Sequence, residues 1–378
     1  MKILHVITTL DMGGAEKYLL SQVRGQSERG HEVRVAYLKG SGSLREDFLG
    51  AGAAEVIHAP LGIGSFTRLW PALRAADVIH THLLKADMSV APLALLAGKC
   101  SRLVSGKHND EQVLKRPLVS AIHGVLGRIP ARTIVLSDHV GEFFREHGGL
   151  SESGMRRIYY GLDRTPFESA AARRSELLAP LRAEFGWKPA DVVFICVARF
   201  APQKAHDVLL RALHAAREQS EVPLRMLLVG DDPFGDGRTK AEDLARELQL
   251  GSDVHFAGIR RDVPELMAIS DVFVMSSLWE GLGLVFLEAL ATGLPQLGSR
   301  VSAVPEVVAE GETGLLVTPG ASEPLAAAMV QLAADAELRE RMAAAGRERV
   351  ADLFAIDRMV DETLAVYREL CAAPGEAR

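Results

Sequence analysis

The sequence predicts an α/β protein of two domains, each built on a parallel sheet with helices on both faces. Three observations predict this. At 378 residues the chain is long for one hydrophobic core and comfortable for two. Short apolar runs alternate with amphipathic helical stretches, as in βαβ units whose strands are buried on both faces. The alternation breaks near residues 160–187 and then restarts.

Taken in order, residues 3–8, 32–38, 77–81, 102–105 and 133–137 read as strands, with a helix over about 15–29 after the first. Residues 164–184 are polar and contain Pro, and read as a connector with a helix inside it; such a connector is expected to let the domains close on a ligand. Strands then follow over 192–197, 224–229, 254–257, 272–275, 295–298 and 314–317, with helices over 206–219 and 240–248. The expected domains are 1–163 and 187–352. A last helix near 356–370 carries Met359, Leu364 and Tyr367 at helical spacing. In open parallel sheets ligands bind at the carboxyl ends of the strands, so the loops there are where chemistry is sought.

Composition excludes several classes. The 48% hydrophobic and 24% charged fractions are those of an ordinary globular protein. The apolar runs fall far short of the roughly 20 residues of a membrane span. The first residues do not read as a signal peptide. Cys100, Cys196 and Cys371 are scattered, which suits reduced thiols in the cytoplasm. The 12 histidines form no HExxH, and no metal is expected. The first strand lacks GxGxxG, which counts against a dinucleotide dehydrogenase. The net charge of −6 divides into +4 over residues 1–163 and −10 over the rest. The basic excess gathers at Lys99, Arg102, Lys107, Lys115, Arg116, Arg128 and Arg132, opposed by Asp110 and Glu111. It is either a solvated face or the mark of an anionic surface or acceptor.

The most informative segment is Glu280-Gly-Leu-Gly-Leu-Val-Phe-Leu-Glu288. It follows a strand and a short loop. Gly281 and Gly283 allow close backbone approach, and free N–H groups at the helix start suit an anion or sugar hydroxyls. Glu280 and Glu288 can grip different hydroxyls of one ligand; on chemistry alone they can equally be a solvated pair on a Gly-capped helix. Arg199 and Lys204 bracket the turn after strand 192–197, where a guanidinium and an ammonium can neutralise a diphosphate. Gly13 and Gly14 precede a helix and can present N–H groups. His108 follows a strand, and His80 and His82 share one strand face.

These segments resemble retaining GT-B glycosyltransferases of the GT4 family. The two glutamates lie in an EGxGLxxLEA-like setting, and other matches come in the expected order. They are Asp11-Met-Gly-Gly-Ala-Glu16, Asp77-Val-Ile-His-Thr-His82, Val104-Ser-Gly-Lys-His108, Ile158-Tyr-Tyr-Gly-Leu-Asp163, Val197-Ala-Arg199 with Gln203-Lys204, Val304-Pro-Glu306 and Gly311-Glu-Thr-Gly-Leu-Leu-Val317. The chain departs from the family at Ala198 and Ala205 (Gly), Tyr160 (Asn) and Ser302-Ala303 (Gly-Gly).

The resemblance implies a GT-B fold: two Rossmann-like domains facing across a cleft, with the last helix, about 356–378, crossing back to the first domain. It implies retaining, metal-independent hexosyl transfer from a UDP- or GDP-linked sugar, with no further cofactor, to a sugar, glycolipid or small-molecule acceptor. Arg199, Lys204, Glu280 and His108 are then the catalytic candidates. Gly14, Gly281, Leu282, Gly283, Glu288, Ile259 and Arg260 are the donor contacts, with Ile259 and Arg260 near the base. Gly13 and His82 lie on the acceptor side. Peripheral contact with an anionic membrane is expected, and nucleic acid is not. The alternatives are a nucleotide-sugar epimerase or a phosphorylase on the same fold, or a non-catalytic nucleotide-sugar binding protein.

Overall fold

The computed structural model describes residues 1–372 apart from Met12, Leu61 and Phe234, and the backbone alone at 63–66. It divides into two compact units, Met1–Gly161 with the C-terminal segment from Phe354, and Leu162–Leu353.

The first unit holds seven strands: β1 (Lys2–Ile7), β2 (Glu32–Tyr37), β3 (Glu55–His58), β4 (Val78–His82), β5 (Leu103–Lys107), β6 (Arg132–Val135) and β7 (Met155–Arg157). All pair in parallel, in the order 3-2-1-4-5-6-7. The second unit holds β8 (Val192–Val197), β9 (Leu224–Val229), β10 (Val254–Gly258), β11 (Val272–Met275), β12 (Gln296–Ser299) and β13 (Gly314–Val317), in the order 10-9-8-11-12-13, again parallel. In each sheet the winding direction reverses beside the first strand. Strands β3 and β7 were not expected from sequence. They are edge strands, Glu-Val-Ile-His and Met-Arg-Arg, with too few apolar residues to stand out as a buried run.

One face of the first sheet places Leu4, Val6 and Ile79 in an apolar core with Leu69, Leu73 and Val90. The alternate residues His5, His80 and His82 face the other way, toward the helices Gly14–Glu28 and Ile356–Cys371, whose Gln22, Gln26, Thr363 and Tyr367 are buried there. The last helix therefore belongs to the first unit. It ends at Cys371, and residues 373–378 of the expected helix lie outside the described residues.

The segment expected as a connector is two helices, Thr165–Ala172 and Arg174–Glu184, and both belong to the second unit. Arg182 is buried, and its guanidinium donates to the Ile269 and Asp191 carbonyls and pairs with Asp271 at 2.7 Å. Arg174 joins the same carboxylate at 2.9 Å. The polar composition that suggested a linker is thus spent on packing, and the unit begins at Leu162 rather than 187.

A second correction concerns charge. Lys107, counted above with the basic stretch, is 2% exposed and pairs with the buried Asp87. Thr81 donates to the same carboxylate, and Nε2 of His123 lies 3.2 Å from the ammonium. Removing one partner of a buried pair leaves the other charge uncompensated, which costs about 3–5 kcal/mol. Lys107→Met is therefore expected to lower the unfolding free energy by about that much, measured by urea titration. A loss of less than about 1 kcal/mol, the size of a surface pair, would show that the pair does not carry this part of the core.

Candidate functional site

In the second unit the reversal of winding lies between β8 and β11, so the loops after these strands diverge and leave a crevice at their carboxyl ends. Loop 198–205 brings Arg199 and Lys204 there, and loop 276–283 brings Glu280 and its glycines. The two loops are stitched together. Leu278 N donates to the Gln203 carbonyl at 2.8 Å, Gln203 Nε2 to the Trp279 carbonyl at 2.7 Å, and Ser276 Oγ lies within 3.0 Å of the Lys204 and Ala205 carbonyls.

Lys204 and Glu280 are ion-paired, with side chains 12% and 7% exposed. Separate ligands were expected for them; here each is the other's partner. Glu280 also accepts from Ser277 Oγ at 2.7 Å, and its backbone N–H donates to Ser302 Oγ at 3.2 Å. Ser277 thus holds the carboxylate and Ser302 the backbone of Glu280, and neither was singled out from sequence as its partner. Arg199, in the same loop as Lys204, is exposed.

Two of the family departures have a geometric reading. Ala205 and Ser302 have φ of +47° and +46°, the left-handed region that favours glycine. Both carry a Cβ in a strained conformation; Ser302 makes up for it in part through its bond to Glu280. Gly283, at φ +75°, opens the helix Leu284–Thr292. Leu282 is buried, Gly281 half-buried, and Glu288 lies half-buried in the second turn of that helix. The start of the helix thus leaves backbone N–H groups beside Glu280.

Ile259 is 72% exposed just beyond β10. Arg260 is held by Asp262 at 2.6 Å and Glu184 at 2.7 Å. A base contact through its guanidinium must compete with both carboxylates. Asp232 accepts from the backbone N–H groups of Gly235, Gly237 and Arg238, so it organises a loop.

In the first unit, Gly13 is extended (φ −168°) ahead of the helix that starts at Gly14. The Gly14 carbonyl accepts from the Tyr160 hydroxyl at 2.9 Å. His108 is 8% exposed; its Nδ1 lies 3.5 Å from that hydroxyl and its Nε2 3.0 Å from Nδ1 of His82. His82 is fully buried, and its other nitrogen is 2.9 Å from Nδ1 of His5. This corrects the acceptor-side reading of His82, because both of its nitrogens are engaged inside the unit. Gly106 on β5 makes room for the cluster, since a Cβ there would lie 2.9 Å from His80 Nε2 and 3.1 Å from His82 Nδ1. His5, His80 and His82 come close enough to share a metal ion, but the facing nitrogens of His5 and His82 are already bonded to each other.

Burial, which disfavours the charged imidazole, dominates the electrostatics of this cluster. It holds His5 down to about 4 and His108 to about 3, the latter with help from Lys107. His80 and His82 are held well below the ordinary histidine range, first by burial and then by neighbouring rings, His5 and His108 for His80 and His80, His108 and His5 for His82. The unfolded chain binds protons on these rings below about pH 6.5, whereas the folded chain does not until about 4 or lower. Stability is therefore fully present above pH 6.5 and lost as the pH falls from there toward 4. Each ring contributes a slope of about 1.4 kcal/mol per pH unit within that window. Urea midpoints measured from pH 7.5 to 4.5 are expected to fall steeply below 6.5. A flat profile down to pH 5 would mean that the rings are not held neutral.

The family described as Glycosyltransferase Family 4 matches residues 12–165, and that described as Glycosyl transferases group 1 matches residues 179–349. The N-acetyl-alpha-D-glucosaminyl L-malate synthase of Bacillus anthracis is 32% identical over 51% of this chain, a match spanning about half (49%) of that relative. The GDP-mannose-dependent alpha-(1-6)-phosphatidylinositol monomannoside mannosyltransferase of Mycobacterium tuberculosis is 30% identical over 69% of each chain. Among solved structures, Anabaena HepE in complex with UDP superposes with a TM-score of 0.85 at 23% identity, covering 98% of this chain and 100% of that one. Two parallel-sheet Rossmann-like units, the paired Lys204 and Glu280 at a switch point, and these matches lead to one conclusion: the chain belongs to the GT4 glycosyltransferases of GT-B fold, enzymes that move a sugar from a nucleotide sugar to an acceptor.

Proposed function

We propose that this enzyme transfers a hexosyl unit with retention at the anomeric carbon, and that fixed positive charge on the protein takes the place of a metal ion. The observation that carries this reading is the Lys204–Glu280 pair, with Arg199 in the same loop as Lys204, at the carboxyl ends of β8 and β11. Breaking the bond between the sugar and the diphosphate leaves the electron pair, and a growing negative charge, on the phosphate oxygen. Arg199, Lys204 and the N–H groups near Gly281 and Gly283 stabilise that charge. The acceptor oxygen bonds the anomeric carbon on the face the phosphate leaves, and its proton passes to the departing phosphate. Glu280 holds sugar hydroxyls, Glu288 the ribose, and His108 a hydroxyl at the reacting sugar, with the loop at Gly13 and Gly14 beside the diphosphate or the acceptor. Ile259 and Arg260 border the base.

The donor is a UDP- or GDP-linked hexose. HepE is solved with UDP and with UDP-glucose, and the mycobacterial relative is named for GDP-mannose. Turnover and thermal stabilisation with UDP-glucose and GDP-mannose separate the two bases. With the donor that stabilises, Lys204→Ala is expected to lower the transfer rate about 100- to 1,000-fold while the protein still unfolds cooperatively. Wild-type enzyme in excess EDTA is expected to keep its rate. Activity that EDTA abolishes and magnesium or manganese restores would overturn the metal-free reading.

The acceptor is lipid-linked in this reading, and the first unit meets an anionic membrane. No helix among the described residues is long and apolar enough to cross one. The helix Pro117–Leu126, however, exposes Leu118 (74%) and Val125 (68%), and Leu95 and Leu96 are 60% and 72% exposed. Lys115, Arg116 and Arg128 are exposed at the two ends of that helix. Apolar side chains to enter the interface beside basic ones to meet lipid phosphates suit a peripheral contact. Co-sedimentation with vesicles is expected to rise with anionic lipid, fall with salt and weaken in Leu118→Glu/Val125→Glu. Equal binding to neutral and anionic vesicles would overturn the electrostatic part.

A further inference from the structure

A continuous line of hydrogen bonds joins His108 to the C-terminal helix, and its direction follows from the far end. Thr363 Oγ1 donates to the Met359 carbonyl at 2.8 Å. With its one proton used, that oxygen accepts from Gln22 Nε2 at 2.9 Å. The same end of Gln22 faces the Tyr18 hydroxyl at 3.2 Å and, at 3.5 Å, the Met359 carbonyl, which can only accept; we assign the amide nitrogen to this end on that carbonyl and on the Thr363 proton already given away. Gln22 Oε1 then accepts from Gln26 Nε2 at 2.9 Å, which turns Gln26 Oε1 toward His5 Nε2, also at 2.9 Å.

An amide oxygen can only accept, so His5 carries its proton on Nε2. A neutral imidazole has one proton, and His5 Nδ1 is therefore bare and accepts from His82 Nε2 at 2.9 Å. By the same rule His82 Nδ1 is bare and accepts from His108 Nε2 at 3.0 Å. What remains is His108 Nδ1, a lone pair with no donor closer than 3.5 Å among the described residues. The Tyr160 hydroxyl is 3.5 Å away and gives its proton to the Gly14 carbonyl at 2.9 Å. Gln22, Gln26, His5, His82 and Thr363 are all fully buried, so no water reaches the line to reverse it. Burial also keeps the rings neutral, as described above.

We propose that this line fixes His108 in the tautomer protonated at Nε2, so that Nδ1, on the side of the Gly13–Gly14 loop, can only accept a hydrogen bond from a substrate hydroxyl. Thr363, Gln22, Gln26, His5 and His82 are then positioning residues for His108. The C-terminal helix, which supplies no group to the site, sets the chemistry of one that does. The tautomer stands on the hydrogen bonds alone; its use on a hydroxyl rests on the placement of His108 in the reaction proposed above.

The test is the ¹⁵N–¹H long-range correlation spectrum of the full chain labelled at histidine, at pH 7.5, with His108 assigned by comparison with His108→Asn. The expected pattern has Nε2 protonated and Nδ1 bare. A proton on His108 Nδ1 in the wild type overturns the proposal, and this measurement needs no substitution in the line. Gln26→Met, which keeps the volume but removes the amide, is expected to give His108 a mixture of both tautomers; an unchanged spectrum would mean that Gln26 does not direct the line. Donor turnover, measured with UDP-glucose and GDP-mannose, supplies the second arm. Gln26→Met is expected to slow it about tenfold in the wild-type background and less than twofold in the His108→Ala background. Equal losses in both backgrounds would show that Gln26 acts otherwise than through His108. Full turnover in His108→Ala, with the expected tautomer in the spectrum, would remove His108 from the reaction while leaving the tautomer assignment standing.

Discussion

Both units depend on one constraint of parallel sheets: the chain can leave the first strand toward one edge or the other, and here it does both. Between β8 and β11 the loops part and leave a crevice at the carboxyl ends of the strands. That gap is why Lys204 and Glu280, 76 positions apart, meet. The same reversal between β1 and β4 in the first unit puts Gly13 and Gly14 at the end of one strand and the histidine-bearing β4 beside it.

The site in the second unit is electrically complete at rest. Lys204 and Glu280 neutralise one another, and Ser277 and Ser302 use further hydrogen-bonding capacity of the loop. A buried pair of this kind is weak evidence for stability, because desolvation offsets much of its attraction. Its value is preorganisation: the ammonium is held in place before any phosphate arrives, so little reorganisation is needed when charge develops. The left-handed Ala205 and Ser302 belong to the same economy, since strain at a site persists only where neighbouring bonds over-determine the backbone.

The first unit solves a different problem. A parallel strand buried on both faces is ordinarily apolar, yet β1 and β4 place three histidines under two helices. Such a layer is tolerable only if its polar atoms find partners, and Gln22, Gln26, Thr363 and Tyr367 supply them. His80 Nε2 is the exception, buried without a partner among the described residues. The absence of a side chain at Gly106 is what leaves room for the rings.

Short apolar runs such as 192–197 and 224–229, set between helical stretches, were enough to read most strands, because they are too short for helices. They did not reveal β3 and β7, which have too few apolar residues, nor the allegiance of 164–184, because a polar helix that pairs Arg174 and Arg182 with Asp271 has the composition of a linker. The motif around Glu280 and Glu288 was legible because its glycines and carboxylates are adjacent in sequence. That Lys204 is the partner of Glu280 was not, since the two meet only after β11 is laid beside β8. Nor could a count of charges show that Lys107 is buried. The fold class, the family and the candidate side chains were thus determined by local pattern. The pairing of those side chains, and the line of hydrogen bonds from Thr363 to His108, were decided by tertiary structure, because each depends on atoms that the chain separates by up to about 340 residues and that only packing brings within 3 Å.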